Sequence, residues 1–518
     1  MRRVTAVALA RQLVPIFLMG CAAATPIPRR APPATWPTHE WKTSSPEAQG
    51  LDSAVLAQAI ETIHERRLPV HSVSIVRNGA LVVDACFHPY DCSVPHDVAS
   101  VTKSVTSLLV GIAVDGGKLG NVAEPALSFF PEARDRIGDP RKTRMRVEDL
   151  LTMRSGLACG LEPGEKELFA MLGTEDWNLA TLALPASDEP GRRFAYCSGG
   201  YHLLSSIVSR ATGMSTQDFA RESLFAPLGI THLEWPTDPA GVARGWGDLR
   251  LFPRDMLELG LLVLEHGRWQ DQQIVSERWI AESTRPRAQV GGDGYGYGWW
   301  LPGGAFQGVI EARGRGGQTI SIWPQRNIVA ALTGAGYSGA EVLPLLLGAL
   351  RSDAPLPPNP EGEERLARAV VAARQAPPRR PAPALPPLAA TISGKHYRLA
   401  ANRLDLSEVW VAFARAPIAT VGLVRGGAQF EIAVGLDGLD RISRVGPTGG
   451  PVAATGEWIA DDAFRIHYED AAGIDRFSIT MRFVDQGARV EMVLDDPARF
   501  LDLTVAGGAS PPGAVADP

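Results

Sequence analysis

The sequence predicts an α/β fold of the α+β kind, in which one sheet gathers strands from both ends of a domain around an inserted helical region, with a separate all-β domain after it. Three observations predict this. Ser72 to Asp84 alternates apolar and polar residues about Asn78-Gly79, the strongest short hairpin signal, because both turn positions need positive φ. Strand character then disappears until Thr319 to Trp323 and Ile328 to Leu332, while helical periodicity and loops fill Pro125 to about Ser283. Finally, residues 355 to 387 contain ten Pro, and short strand-like runs follow them at intervals suited to a small barrel or sandwich.

In chain order, Arg2 and Arg3 precede an apolar run that ends in Leu18-Met19-Gly20-Cys21, which is similar to a bacterial lipobox. Residues 1–21 are therefore expected to be a lipoprotein signal peptide with Cys21 as the lipidated residue. That places the protein in the bacterial cell envelope, facing the periplasm and held at the membrane. Residues 22–47, rich in Pro, Ala and Thr, read as a flexible tether. Residues 48–352 form the first domain, opening with helical spacing over Leu51 to Arg67 and closing with the helical run Ala340 to Arg351. Residues 353–389 are expected to be a Pro-rich linker with a short helix within Glu361 to Gln375. Residues 390–506 carry strand runs at Val409 to Phe413, Phe430 to Val434, Phe464 to Tyr468, Phe477 to Phe483 and Val490 to Leu494, and residues 507–518 read as a disordered tail.

Composition narrows the function. A formal charge of -6 over 518 residues gives no basic excess to neutralise phosphates, which argues against nucleic acid as the main partner. Apart from Cys21, four Cys remain (Cys86, Cys92, Cys159, Cys197), an even number in a compartment where disulfides persist; all three pairings stay open. Their spacing matches no zinc motif. Lys occurs only six times, so a Lys at a chemically suggestive spacing is informative.

One such Lys stands in Asp97-Val-Ala-Ser100-Val-Thr-Lys103, which has helical periodicity from Ser100 onwards. Three residues apart at a helix start, Ser100 and Lys103 share one face, so the amine can take the hydroxyl proton, provided it is itself unprotonated. The helix N-terminus adds backbone N–H groups and positive potential for a developing oxyanion. A second segment, Pro190 to Leu204, presents Tyr196-Cys197-Ser198 ahead of an apolar helix. A third, Gly314-Arg315-Gly316-Gly317-Gln318, is a Gly-rich entry into a strand, where missing side chains would let a substrate lie along the backbone. His96 and Asp97 beside Ser100 do not make a triad by adjacency alone.

Together these three segments resemble the signature set of the serine beta-lactamase and penicillin-binding-protein superfamily, and in particular its class C-like branch of family VIII esterases and amide hydrolases. The phrases Val147 to Gly156, Phe225 to Gly229 and Gly294 to Trp300 fit the same branch, so the resemblance covers about residues 45 to 350. It implies an antiparallel sheet flanked by helices and an inserted helical subdomain. It also implies Ser100 as nucleophile, with Lys103 and Tyr196 as the proton-transfer pair and the backbone N–H groups of Ser100 and Gln318 as oxyanion hole. Substrate would lie against Ser198, Arg315, Gly316, Gly317, Tyr297 and Trp299. Two departures stand out: Ser198 where relatives carry Asn, and Arg315-Gly316-Gly317 where they carry Lys-Thr-Gly or His-x-Gly. The module after residue 390 is similar to the lipocalin-like domains attached to some relatives.

The expected function is a serine hydrolase acting on a small ester or amide, needing no metal or organic cofactor, with carboxylesterase as first choice. A D-amino-acid peptidase, a linear-amide hydrolase or a weak beta-lactamase stays open, as does a non-catalytic lipoprotein that binds peptidoglycan or an antibiotic. The oligomeric state is not written in the sequence.

Overall fold

In the computed structural model, the described residues are 26–30, 32–33, 36–38, 40–161, 165–415, 417–496 and 502–509. Cys21 and the expected signal peptide lie outside them. The Asn78-Gly79 hairpin forms as read: both residues have positive φ (50° and 75°), joining strands Val70–Arg77 and Ala80–Cys86. Ile328–Gly334 pairs antiparallel with the first of these, Val73 opposite Leu332, so the early and late strands share one sheet. Thr319–Trp323, Ile310–Arg313 and three short strands extend it to eight strands, all pairings antiparallel.

Strand alternation gives this sheet two buried faces. Val73, Ile75, Ala330 and Leu332 pack against helices Ser53–Glu65, Gly339–Leu347 and Pro360–Ala373. Val76, Val329, Ala331, Ile320 and Ile322 face the other way, into the core that contains helices Val101–Asp115 and Pro253–Leu264. Helix Val101–Asp115 is buried along most of its length, with helix Ser198–Thr212 beside it. A buried helix in the middle of a domain cannot shift without disturbing packing on every side, so it is a rigid base for a reacting group.

Ten strands between His396 and Ala509 form the second sheet, which closes on itself where Gly435 meets Thr455. Every strand read from the sequence is present, together with others, among them Ile418–Arg425 and Val452–Ala460. Those two carry glycines where a side chain would collide: a Cβ at Gly422 would sit 1.9 Å from the Trp410 ring, and one at Gly456 2.5 Å from Phe464. The aromatic ring of the neighbouring strand fills each gap.

Three boundaries differ from expectation. Within the expected tether, Lys42 and Ser44 hydrogen-bond Leu81 along the sheet edge and Trp41 is buried, so this stretch belongs to the domain. Within the expected linker, helix Pro360–Ala373 buries Leu366, Ala369 and Ala373, and Arg365 pairs with Glu61 at 2.5 Å. Its amphipathic spacing gave it a face to bury, and the first domain supplied the partner. The last strand continues through Gly507 to Ala509, where the Ala509 N–H donates to Ala488.

Candidate active site

Ser100 caps helix Val101–Asp115, and the residue before it, Ala99, holds a left-handed φ of 46°. A non-glycine residue in that region is strained, and here the Asp97 carboxylate holds the turn by accepting the Ala99 N–H at 2.7 Å. Burial, with the nearby Asp248 carboxylate adding to it, pushes the Asp97 carboxyl up to about 7.

One turn into the helix, Lys103 is 1% exposed and its Nζ lies 2.8 Å from Ser100 Oγ. The same Nζ donates to the Trp246 carbonyl at 2.9 Å, and Thr106 Oγ1 donates to the Gly245 carbonyl. Consecutive carbonyls of one turn, Gly245 and Trp246, therefore face the helix and fix the amine. On its other side this turn presses against helix Ser198–Thr212, where a Cβ on Gly245 would lie 2.2 Å from the Tyr201 carbonyl oxygen. Tyr196 closes the triangle. Its ring centroid is 4.7 Å from Lys103 Nζ, and the ring stacks on Trp300. The next residue, Cys197, is bonded to Cys159, and the remaining pair is Cys86–Cys92, which resolves the pairing.

Ser100 and Tyr196 open into a pocket of about 500 Å³ that Ser198, Trp246, Asp248, Trp300 and Arg315 also line. Ser198 Oγ is buried and has no hydrogen-bond partner among the described residues, so it is available to a ligand. Arg315 Nη1 is 2.6 Å from Asp475, which arrives from the second domain. Ile474, beside it in the turn after strand Ala463–Asp470, lines the pocket as well.

Four expected substrate contacts lie elsewhere. Tyr297 donates to Glu148 at 2.7 Å within the core, and Trp299 is 1% exposed; alternation turns Trp299 away and brings Trp300 to the pocket. Gly316 and Gly317 are also outside the lining. A Cβ on Gly317 would be 2.3 Å from the Tyr337 ring and one on Gly316 3.1 Å from the Ile474 carbonyl, so the missing side chains make room for protein rather than substrate. Gln318 is fully buried, its amide donating to the Arg315 and Gly334 carbonyls, which pins the hairpin carrying Gly314 at the pocket wall. No local pattern identified Asp248 or Ile474; Trp300 had a signal in the aromatic run Gly294 to Trp300, and Trp246 had a weaker one as an isolated aromatic.

Comparison with known proteins agrees with this architecture. Esterase EstB of Burkholderia gladioli is 31% identical over 210 residues, 36% of this chain and 53% of that protein. D-aminopeptidase of Brucella anthropi is 23% identical over 177 residues, 32% of this chain and 33% of that enzyme. The chain thus spans between a third and about half of the length of these relatives. A solved Bacillus anthracis structure, a candidate 6-aminohexanoate-dimer hydrolase, superposes with a TM-score of 0.50 at 19% identity, covering 60% of this chain and 86% of that one. The family model described as Beta-lactamase matches residues 56–342, more than half of the sequence, and with that match the chain belongs to the beta-lactamase family of serine hydrolases.

Proposed function

We propose that the protein is a carboxylesterase that works through an acyl-enzyme on Ser100. The observation that carries this is the 2.8 Å approach of Lys103 Nζ to Ser100 Oγ at the head of the 500 Å³ pocket. Ser100 Oγ attacks the ester carbonyl carbon while Lys103, held by the Trp246 carbonyl, takes the hydroxyl proton. The backbone N–H of Ser100, at the start of helix Val101–Asp115, receives the oxyanion, and Tyr196 returns a proton to the departing alkoxide. Water then attacks the acyl carbon by the reverse route and frees the acid and Ser100. An ester is favoured over a beta-lactam because the charge of Arg315, the cation of the third motif, is already balanced by Asp475 at 2.6 Å. The likeness to EstB points the same way.

A second reading, hydrolysis of an amide bearing a free amine, is favoured by the D-aminopeptidase relative and by the Asp248 carboxylate, which lines the pocket while paired with Arg244 at 2.7 Å. Steady-state assays of a chromogenic short-chain ester, a D-amino-acid anilide and a chromogenic cephalosporin separate these. Ser100→Ala is expected to abolish turnover and Tyr196→Phe to lower kcat by about 10²–10⁴-fold. Turnover that survives in Ser100→Ala would overturn the assignment.

The location we propose is the cell envelope, with a lipid on Cys21. Two disulfides, which persist in oxidising compartments, support export. Metabolic labelling with palmitate should mark the protein and not its Cys21→Ala variant; equal labelling of both would refute the anchor.

A further inference from the structure

The second domain is not filled by its own side chains. Val421, Leu423, Ile432, Val434, Ile466 and Leu494 point inward from four strands around a cavity of about 240 Å³. Its walls are apolar, and its polar groups, Arg315 and Asp475 among them, include the ion pair that joins the barrel to the first domain. Phe169 and Arg315 line this cavity and the Ser100 pocket alike, so the two spaces meet at that pair. Phe169 itself is a large apolar side chain left 52% exposed at the junction. The turn after Ala463–Asp470 serves both sides, Ile474 facing the Ser100 pocket and Asp475 facing the barrel.

We propose that the barrel interior is the tail cavity of the hydrolase: a fatty-acyl ester whose carbonyl sits at Ser100 passes its chain between Phe169 and the Arg315–Asp475 pair into the barrel. This rests on the Ser100 reading above. It accounts for an apolar cavity that opens beside a reactive hydroxyl, for the exposed Phe169 along the route, and for the ion pair at the threshold. Every methylene moved from water into such a lining is worth roughly fourfold in binding. The acyl chain, not the alcohol, is assigned to the cavity because it stays attached to Ser100 while the alcohol must leave.

The test has a kinetic arm and a binding arm, both on the full chain. In wild type, kcat/KM for p-nitrophenyl decanoate is expected to exceed that for the acetate by tenfold or more. The decanoate-to-acetate ratio should fall at least tenfold in Leu423→Trp and in Val434→Trp, which fill the cavity, with circular dichroism and thermal melting showing that each is folded. An unchanged ratio in folded variants would overturn the proposal. In the binding arm, dansyl-undecanoate should bind saturably to Ser100→Ala and be displaced by ethyl decanoate and not by ethyl acetate. Absence of saturable binding, or equal displacement by both esters, would overturn it even if neither Trp variant folds. If wild type turns over no ester, the Ser100 reading fails by itself, and the binding arm still decides whether the barrel holds a chain.

Discussion

Lys103 shows how much of this site depends on a backbone carbonyl. The Trp246 carbonyl accepts one N–H of the amine and so holds Nζ within 2.8 Å of Ser100 Oγ. The helical spacing of Ser100 and Lys103 was legible in the sequence; the carbonyl, 143 residues further on, was not, since no residue type marks it. Away from the site, Glu258 illustrates the opposite case, a carboxyl without help. It is 6% exposed in helix Pro253–Leu264, its Oε2 has no partner among the described residues, and burial, with Asp255 adding to it, pushes it up to about 9. Between its ordinary 4.5 and that value the folded protein keeps a proton that the unfolded chain has lost, so stability falls as pH rises through this window. Glu258→Gln keeps the shape and removes the ionisation. Denaturant titrations should show its stability relative to wild type growing by about 4 kcal/mol between about pH 5 and pH 8. A constant difference would mean that the carboxyl does not titrate in this range.

Tyr196 owes its place to two neighbouring segments. The disulfide to Cys159 anchors the start of helix Ser198–Thr212, and Gly160, at φ 65°, lets its own chain pass so close to Tyr196 that a Cβ would be 1.8 Å from the Tyr196 carbonyl oxygen. A bridge spanning 38 residues is worth about 4 kcal/mol in the chain-entropy account. The Cys159→Ser, Cys197→Ser double variant should therefore lose up to about that much stability and show a lower kcat, because the Tyr196 ring is no longer held over Lys103. Unaltered kcat with lowered stability would confine the bridge to a structural role. Elements of this kind divide cleanly by how they were encoded. Asn78-Gly79 and the alternating strands around it carry their geometry in residue type, so they could be read. Ile418–Arg425 and Val452–Ala460 could not, because Gly422 and Gly456 weaken the strand pattern and only the neighbouring Trp410 and Phe464 rings explain them. Trp299 and Trp300 fall between these cases: the resemblance pointed to Trp299, which is 1% exposed, whereas its neighbour Trp300 lines the pocket.

Polar groups at the junction of the two domains tie the barrel to the site. His71 Nε2 lies 2.7 Å from Glu469, and His71 Nδ1 lies 2.7 Å from His96, whose own Nδ1 reaches the Asp97 carbonyl. The Asp97 N–H donates to the Ala472 carbonyl of the barrel turn that also carries Ile474 and Asp475. Barrel docking and the strained turn before Ser100 are thus one hydrogen-bonded chain, built from segments nearly 400 residues apart that no local pattern connects. Burial alone would raise the Glu469 carboxyl, yet His71, by hydrogen bond and charge, with Arg476 and His88 behind it, brings it below its usual 4.5. A depressed carboxyl contributes stability above its unfolded value and loses it as pH falls through the folded one. Glu469→Ala leaves His71 buried with one nitrogen unpaired, at a cost of about 2 kcal/mol at neutral pH. The variant should melt below wild type at about pH 7, and the gap should narrow below about pH 4 as the wild-type carboxylate takes up its proton. Its kcat should fall too, since the turn bearing Ile474 is the one released. A gap of equal size at both pH values would show that Glu469 acts there by packing and not by charge, and an unchanged kcat would uncouple the barrel from the chemistry at Ser100.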